Sequence, residues 1–449
     1  MKKNTFHLVS LGCAKNTVDS NSMAQLLQQD GYTAVNDPSE AEILLVNTCG
    51  FIEPARVESY AVLNELAAGK KNNQLLIAAG CLTQRYGEEV LNNVTGIDGL
   101  LGTRRWMDIL QVVRKLHADG HPQPLYHLPN DSVVGQNPEG ILGAYLQGGS
   151  AYLKIADGCR RPCAFCAIPS IKGTASSRPV EEILEDARIL QSAGVREINL
   201  IAQDTTDYGH DLGMKDGLAQ LLEALTSAAS SVDWLRILYA YPGYITDRLI
   251  DVMAGSNQIL PYIDIPLQHA DPEVLKMMRR PANLDWVHGT VEKLRNKMPG
   301  LALRTTFIVG YPGETDQAFQ NLVDFVEEMR FDRVGTFMFS FEPGTTSEIY
   351  GDPVPPQVKE ERQEILMLTQ QEISLQINQT WIGKTIDVLI EGQGEVEGSE
   401  ERISLGRSYR DAPEIDGMVI IEGEQQVREI FPVKITGAMT YDLVGTPLK

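Results

Sequence analysis

The 449-residue chain has no apolar run long enough to span a bilayer. Its opening residues, Met1-Lys2-Lys3-Asn4-Thr5-Phe6-His7, lead into a strand-like segment rather than the apolar centre of a signal peptide. The expectation is a cytoplasmic protein without a membrane partner, whose unpaired thiols stay reduced. Basic charge is also scarce. Thirty-nine Lys and Arg stand against 60 Asp and Glu, a net charge of −21. A field of that sign repels phosphate backbones and attracts basic partners, which argues against nucleic acid. Cysteine is scarcer still, at six residues. In a reducing compartment so few cysteines read as metal-binding or catalytic.

Half of them lie in one stretch, Gly158-Cys159-Arg160-Arg161-Pro162-Cys163-Ala164-Phe165-Cys166, spaced C-x3-C-x2-C. Gly158 and Pro162 oppose a regular helix there, so the stretch is expected to be a tight loop with three converging sulfurs. Convergent thiolates suit soft metals and iron–sulfur clusters. A closed structural zinc site needs four ligands, and this loop holds no histidine to complete one. A cubane cluster on three thiolates would keep one iron open. The competing readings are a disulfide loop and free thiols packed as small hydrophobes.

The spacing resembles the signature of the radical S-adenosylmethionine (SAM) enzymes. The resemblance implies that the open iron holds the amino and carboxylate groups of SAM. Reductive cleavage to a 5′-deoxyadenosyl radical would follow, and Phe165 would stand beside the adenine.

In the first domain, about residues 1–130, three apolar runs each end in a cysteine: Phe6–Gly12 before Cys13, Ile43–Thr48 before Cys49, and Leu75–Gly80 before Cys81. Helix-like segments near Asp19–Gln29, Pro54–Ala68 and Arg85–Leu91 alternate with them. That alternation predicts a parallel α/β sheet, and ligands of such sheets gather beyond the carboxyl ends of the strands. Three cysteines at three strand ends are therefore expected on one rim; the competing reading is three unrelated buried cysteines.

One cysteine triple in an α/β domain ahead of a radical-SAM triple resembles the methylthiotransferases. The words Ser10-Leu11-Gly12-Cys13-Ala14-Lys15-Asn16-Thr17-Val18-Asp19-Ser20 and Asn47-Thr48-Cys49-Gly50-Phe51-Ile52 are similar to the RimO-type branch, which modifies a small-subunit ribosomal protein. Asn21 departs from that branch, which usually carries an acid there. In this family the first triple implies an auxiliary cluster that presents the sulfur to be inserted. From Ala118 to about Gly148 the composition reads as a linker, with His117, His121 and His127 expected on the solvated surface.

The central domain, about residues 140–375, alternates strands and helices. Strands are expected at Glu197–Ala202, Trp234–Tyr239, Tyr262–Pro266, Ala302–Val309 and Thr336–Ser340. Helices are expected at Val180–Ser192, Leu218–Ala229 and Asp316–Met329. The series predicts a TIM-like α/β barrel, partial or complete, with chemistry at the strand carboxyl ends. Gln203, Asp204, Gln268, His269 and Gly310 fall at such ends. By resemblance, Gln203, Asp204, Gln268 and Gly310 would contact SAM, and His269 favours the protein-modifying branch.

A polar helix is expected at Gln357–Gln376, followed by short strands in a third domain, about residues 380–449. These predict a small antiparallel β-barrel and resemble a TRAM domain. Such domains often bind RNA, but residues 382–449 carry 13 acids against seven Lys and Arg. Glu395, Glu397, Glu400 and Glu401 cluster there and would suit a basic protein better.

Together the resemblance implies two 4Fe–4S clusters, one on Cys159, Cys163 and Cys166 and one on Cys13, Cys49 and Cys81. It implies SAM as cofactor, an electron donor, and methylthio transfer to the β-carbon of an aspartate on the twelfth small-subunit ribosomal protein. The alternatives are the same chemistry on an adenosine of tRNA, and a non-catalytic iron–sulfur protein.

Overall fold

The computed structural model describes residues 4–119, 123–130, 138, 140–395 and 402–448. The first sheet has six parallel strands: β1 (Thr5–Ser10), β2 (Thr33–Ala34), β3 (Ile43–Thr48), β4 (Leu75–Gly80), β5 (Gly99–Gly102) and β6 (Leu125–His127), in the order β2-β1-β3-β4-β5-β6. Every residue of β3 is buried, as its continuous apolar run requires of a parallel strand covered on both faces. Helices α1 (Ala14–Gln29), α2 (Glu53–Gly69), α3 (Cys81–Tyr86), α4 (Glu89–Asn93) and α5 (Ile109–Asp119) connect and cover it. The helix expected near Arg85–Leu91 is instead split at Gly87, whose φ of 49° breaks the run into α3 and α4.

The expected linker is only partly one. It supplies β6 to the first sheet and β7 (Ala144–Gln147) to the second. Its histidines are not simply solvated either. His127 Nε2 lies 2.7 Å from Asp108, and His117 Nε2 lies 3.1 Å from Glu42, all four side chains being partly buried. His121 is outside the described residues.

The second sheet runs β15-β14-β13-β12-β11-β8-β7. Strands β8 (Ser150–Lys154), β11 (Glu197–Ile201), β12 (Trp234–Ile237), β13 (Ile259–Asp264), β14 (Ala302–Val309) and β15 (Arg333–Met338) are parallel, and β7 is antiparallel to β8. A short ribbon pairs β9 (Ala156–Asp157) with β10 (Ser176–Ser177). The sheet curls but does not close, so the barrel is partial. Its helices are α6 (Ile168–Lys172), α7 (Val180–Ser192), α8 (Gly217–Ala228), α9 (Asp247–Ala254), α10 (Pro272–Met277), α11 (Leu284–Lys297), α12 (Asp316–Met329) and α13 (Pro356–Gln379).

The core between strands and helices includes Leu200, Leu222, Ile263 and Phe307. The concave face is filled separately, by Tyr152, Ile201, Trp234, Leu238 and Tyr262. It is closed by other domains. Val18 of α1 packs onto it from one end, and Leu389 and Ala412 of the third domain from the other.

That third domain is a closed five-stranded barrel, β16 (Thr385–Glu395), β17 (Arg402–Ser408), β18 (Val419–Glu422), β19 (Ile430–Ala438) and β20 (Leu443–Pro447). It departs from a purely antiparallel expectation at one pair, because β18 and β20 run parallel. Of the clustered acids, Glu395 is exposed at the end of β16, while Glu397, Glu400 and Glu401 lie outside the described residues.

The small barrel docks on the amino ends of the central strands. Glu197, wholly buried at the start of β11, accepts from Arg407 Nη2 at 2.6 Å, Arg236 Nε at 2.8 Å and Ser150 Oγ at 2.7 Å. Burial pushes its carboxyl up, but the two guanidiniums more than offset this and hold it at about 2. Arg333 pairs with Asp411 at 2.6 Å, Arg410 with Asp332 at 2.9 Å, and the Tyr262 hydroxyl donates to Asp416 at 2.7 Å.

The first domain sits on the opposite, carboxyl ends. Asp19 of α1 accepts from Lys154 and, at 3.1 Å, from Lys172, all of them buried. Asn21 donates to Ala144 O at 2.8 Å, a bond that an ionised acid at this position could not make. Arg104 donates to the carbonyls of Ser170 and Ile171. Glu342, beyond β15, forms a clasp: it accepts from Arg56 (2.5 Å), Arg85 (2.8 Å), the Glu53 amide (3.0 Å) and the Ser340 hydroxyl (2.7 Å). Glu342→Ala leaves two largely buried guanidiniums without this carboxylate, an expected loss of about 3 kcal/mol between the domains. Hydrogen exchange should then speed up at α2 and around residues 340–350 while β3 keeps its protection. Unchanged exchange in α2 would show that the clasp does not hold the domains.

Candidate active site

Each cysteine of the first triple stands where a strand ends and a helix begins. Cys13 caps the amino end of α1, Cys49 follows β3, and Cys81 opens α3 directly after β4. Strand order reverses between β1 and β3, which opens a crevice at their carboxyl ends. Glycine lets the three loops close on one another. A Cβ on Gly12 would lie 2.8 Å from Cys49 Cβ, and one on Gly50 would lie 2.6 Å from Leu82 Cα beside Cys81. Asn16 ties them: its Nδ2 donates to Leu11 O and Thr48 O at 3.0 Å, and its Oδ1 lies 3.7 Å from Cys81 Sγ. The three strand-end loops that carry these cysteines, distant in sequence, are thus packed against one another.

The second triple lies on the loop after β9. Gly158 has φ 68°, and a Cβ there would meet Thr174 O at 2.1 Å, so the loop starts only as glycine allows. The loop is pinned by Cys159 N to Gly173 O (3.0 Å), Ala164 N to Met278 O (2.9 Å) and Cys166 N to Cys163 O (3.2 Å). Burial pushes Cys159 up to about 11, and Cys166 and Cys81 up to about 12. As free thiols these groups would be protonated and inert; a metal would displace the protons. Among the described residues, no group of three or more His, Cys, Asp or Glu is gathered to hold a single ion. A cluster places its irons at separate corners and asks for a wider set, so the two all-thiol triples fit iron–sulfur clusters better than one zinc.

Helix α6 joins the two sites. It follows Cys166 at once, and its Ile171, with Ala167, packs on Cys81 of the other triple.

Between the domains lies a cavity. Cys159, Cys163, Cys166, Phe165 and Arg280 line one side, Gln203, Asp204, Tyr239, Tyr241 and Gln268 the strand ends, and Lys15 and Phe51 the first-domain wall. Asp204 lines it but is already engaged, accepting from Arg161 Nε at 2.6 Å and from the Thr206 amide at 3.0 Å. Gln268 holds φ 77°, an uncommon value for its residue type, while its backbone bridges to Thr306 and Ile308 of β14. Tyr239 is likewise at φ 61°.

Two residues singled out in the sequence lie elsewhere. Gly310 is not among the lining residues; with φ 71°, its missing Cβ makes room for Lys359 Cγ, 2.3 Å away, rather than for a cofactor. His269 is buried in a structural network. Its Nδ1 accepts from Asp271 N at 2.9 Å, so Nε2 carries the proton donated to Glu314 at 3.1 Å. Conversely, Lys15, Tyr239, Tyr241, Arg161 and Arg280 were not singled out. Lys15 stands two residues after Cys13, the one local signal that marked it.

Sequence comparisons agree with this geometry. The Radical SAM superfamily profile matches residues 153–326, that of the uncharacterized protein family UPF0004 residues 5–102, and that of the TRAM domain residues 382–448. A radical SAM methyltransferase, TsrM from Kitasatospora setae, shares the fold. It has a TM-score of 0.57 over 78% of this chain and 74% of that one, at 12% identity. Fold, loop and profile define a radical SAM protein. Its kinship is narrower. The ribosomal protein uS12 methylthiotransferase RimO of Chloroflexus aurantiacus is 46% identical over 99% of both chains, and that of Herpetosiphon aurantiacus is 45% identical over 98% of this chain and 99% of its own. The chain belongs to the family of uS12 methylthiotransferases.

Proposed function

We propose that the protein is a SAM-dependent methylthiotransferase that attaches a methylthio group to the β-carbon of an aspartate in ribosomal protein uS12. The observation that carries this is the all-cysteine triple lining the interdomain cavity, with α6 running from it to Cys81 of the other triple. Cys159, Cys163 and Cys166 would hold one 4Fe–4S cluster, and Cys13, Cys49 and Cys81 the other. When bound, the clusters supply the electron for SAM cleavage and the sulfur for insertion. The chain supplies placement. Phe165, partly buried against Met278 and Tyr311, offers a ring wall beside the second triple. Tyr239, Tyr241 and Phe51 give the cavity apolar walls and limit water, which strengthens the electrostatic contacts inside it. Asp204 fixes Arg161 against the Tyr244 ring, 3.6 Å from guanidinium carbon to centroid.

An electron donor and a cytoplasmic setting belong to the same reading; no helix among the described residues is long and apolar enough to cross a membrane. The net charge of −21 favours a basic ribosomal protein over tRNA. Reconstituted enzyme, given SAM, reductant, sulfide, uS12 and tRNA together, should raise the mass of uS12 by one methylthio group and leave tRNA unchanged. Modified tRNA with unmodified uS12 would overturn the assignment. The division of labour has its own test. Changing Cys13, Cys49 and Cys81 to Ala should abolish methylthio product while 5′-deoxyadenosine formation continues, as measured by chromatography. Product at the parental rate would refute it.

A further inference from the structure

Three cations line the interdomain cavity, and two are committed. Arg161 pairs with Asp204 at 2.6 Å. Arg280 donates to Pro266 O and lies 3.5 Å from Cys163 Sγ. Lys15 is different. It is only 5% exposed and lines the cavity from the first-domain wall, yet no carboxylate or carbonyl partner stands against it among the described residues. Its ammonium rests 3.4 Å from the centroid of the Tyr239 ring. A ring face offsets only part of the desolvation of an ammonium. The backbone of Tyr239 adopts its uncommon φ of 61° at the same place.

A buried, unpaired cation facing a cavity points to an anionic ligand. Two carboxylates are available to the proposed reaction, that of SAM and that of the substrate aspartate. The SAM carboxylate belongs beside the second triple, where Arg280 already touches Cys163. Lys15 is on the other wall. We propose that Lys15 receives the side-chain carboxylate of the substrate aspartate and so positions the adjacent β-carbon for hydrogen abstraction. This rests on the uS12 reading above. The carboxylate is one bond from the reacting carbon, so holding it restricts that carbon to a narrow arc. Each charge alone is costly to bury, and each relieves the other. An asparagine carbonyl could accept from Lys15 but could not neutralise it, so the pair would also select aspartate.

The test uses anaerobically reconstituted enzyme with S-adenosylhomocysteine and no reductant, so that binding is read without turnover. Two synthetic peptides spanning the modified position of uS12, one with Asp and one with Asn there, are titrated by fluorescence anisotropy. Parent enzyme should prefer the Asp peptide roughly thirtyfold or more, the usual cost of unpairing a buried charge. Lys15→Met should lose that preference, and Lys15→Arg should keep most of it. Iron content, sulfide content and S-adenosylhomocysteine affinity should match the parent in both variants. A Lys15→Met protein that still prefers the Asp peptide overturns the proposal. So does a loss of iron, which would make Lys15 a counter-charge to the cysteine triple, or a loss of S-adenosylhomocysteine affinity, which would assign it to the cofactor. Parent enzyme that binds neither peptide would strike the uS12 reading itself, a result separable from the others.

Discussion

Changing Cys159, Cys163 and Cys166 together to Ala is expected to remove about half of the iron and sulfide bound after reconstitution and to bring 5′-deoxyadenosine down to background. The loss should be complete because the loop offers three thiols and no fourth donor among its own residues. The first triple should still load. Its loops are held by contacts within its own domain, the Asn16 hydrogen bonds and the close approach of Gly12 to Cys49. Each Ala replaces a half-buried sulfur with a smaller group, so some destabilisation is expected, though far less than unfolding. Iron and sulfide assays with anaerobic chromatography decide the matter. Undiminished iron, or surviving SAM cleavage, would show that the second triple is not the site of either.

The second large effect is structural. Arg407→Met should cost about 3–5 kcal/mol, because Glu197 is then left wholly buried with Arg236 as its sole guanidinium. The pH dependence follows from the same pair. The Glu197 carboxyl is held at about 2 in the folded protein against 4.5 for an ordinary glutamate. Its contribution is therefore full above about pH 4.5 and disappears as pH falls toward 2. In Arg407→Met the carboxyl is less depressed, so this group loses less stability on acidification and the cost of the substitution should shrink as pH falls toward 2. Denaturant unfolding followed by tryptophan fluorescence measures both effects, since Trp234 and Trp381 lie on the two sides of this interface. Adding Glu197→Gln to Arg407→Met should restore much of the loss. If the double variant is as unstable as the single, the damage is packing rather than an uncompensated charge.

Much of this architecture was legible before any coordinates. The helices Val180–Ser192 and Asp316–Met329 and the strand Ala302–Val309 were readable to the residue, because strong apolar periodicity coincides there with clear boundaries. Cys13, Cys49 and Cys81 stood out for another reason: each follows an apolar strand, and a strand end is a position that sequence marks well. The misses share a cause too. Strands β6 and β7 are short edge strands whose residues, Ala144 apart, are exposed or half-buried, so composition alone could not distinguish them from linker. His127 reads as surface until Asp108 is placed beside it. The glycine word around Gly310 signals a need for space, but not whether a cofactor or Lys359 takes that space. Lys15 depends on Tyr239, in another domain, and no local pattern carries such a pairing.

The floor of the central barrel has a consequence for biosynthesis. A chain made from its amino end completes the first domain and the central strands before β16–β20 leave the ribosome. During that interval the amino ends of the strands wait uncovered. What they show water there is Glu197, Asp332, Arg236, Arg304, Arg333 and the hydroxyls of Tyr152 and Tyr262, mixed with apolar residues such as Leu260. A floor made wholly of leucine and isoleucine would present a sticky patch to neighbouring nascent chains. This one stays hydrated until Arg407, Arg410, Asp411 and Asp416 arrive to neutralise it. The charges that later pair across the finished interface give the unfinished face a hydrated surface in place of an apolar one.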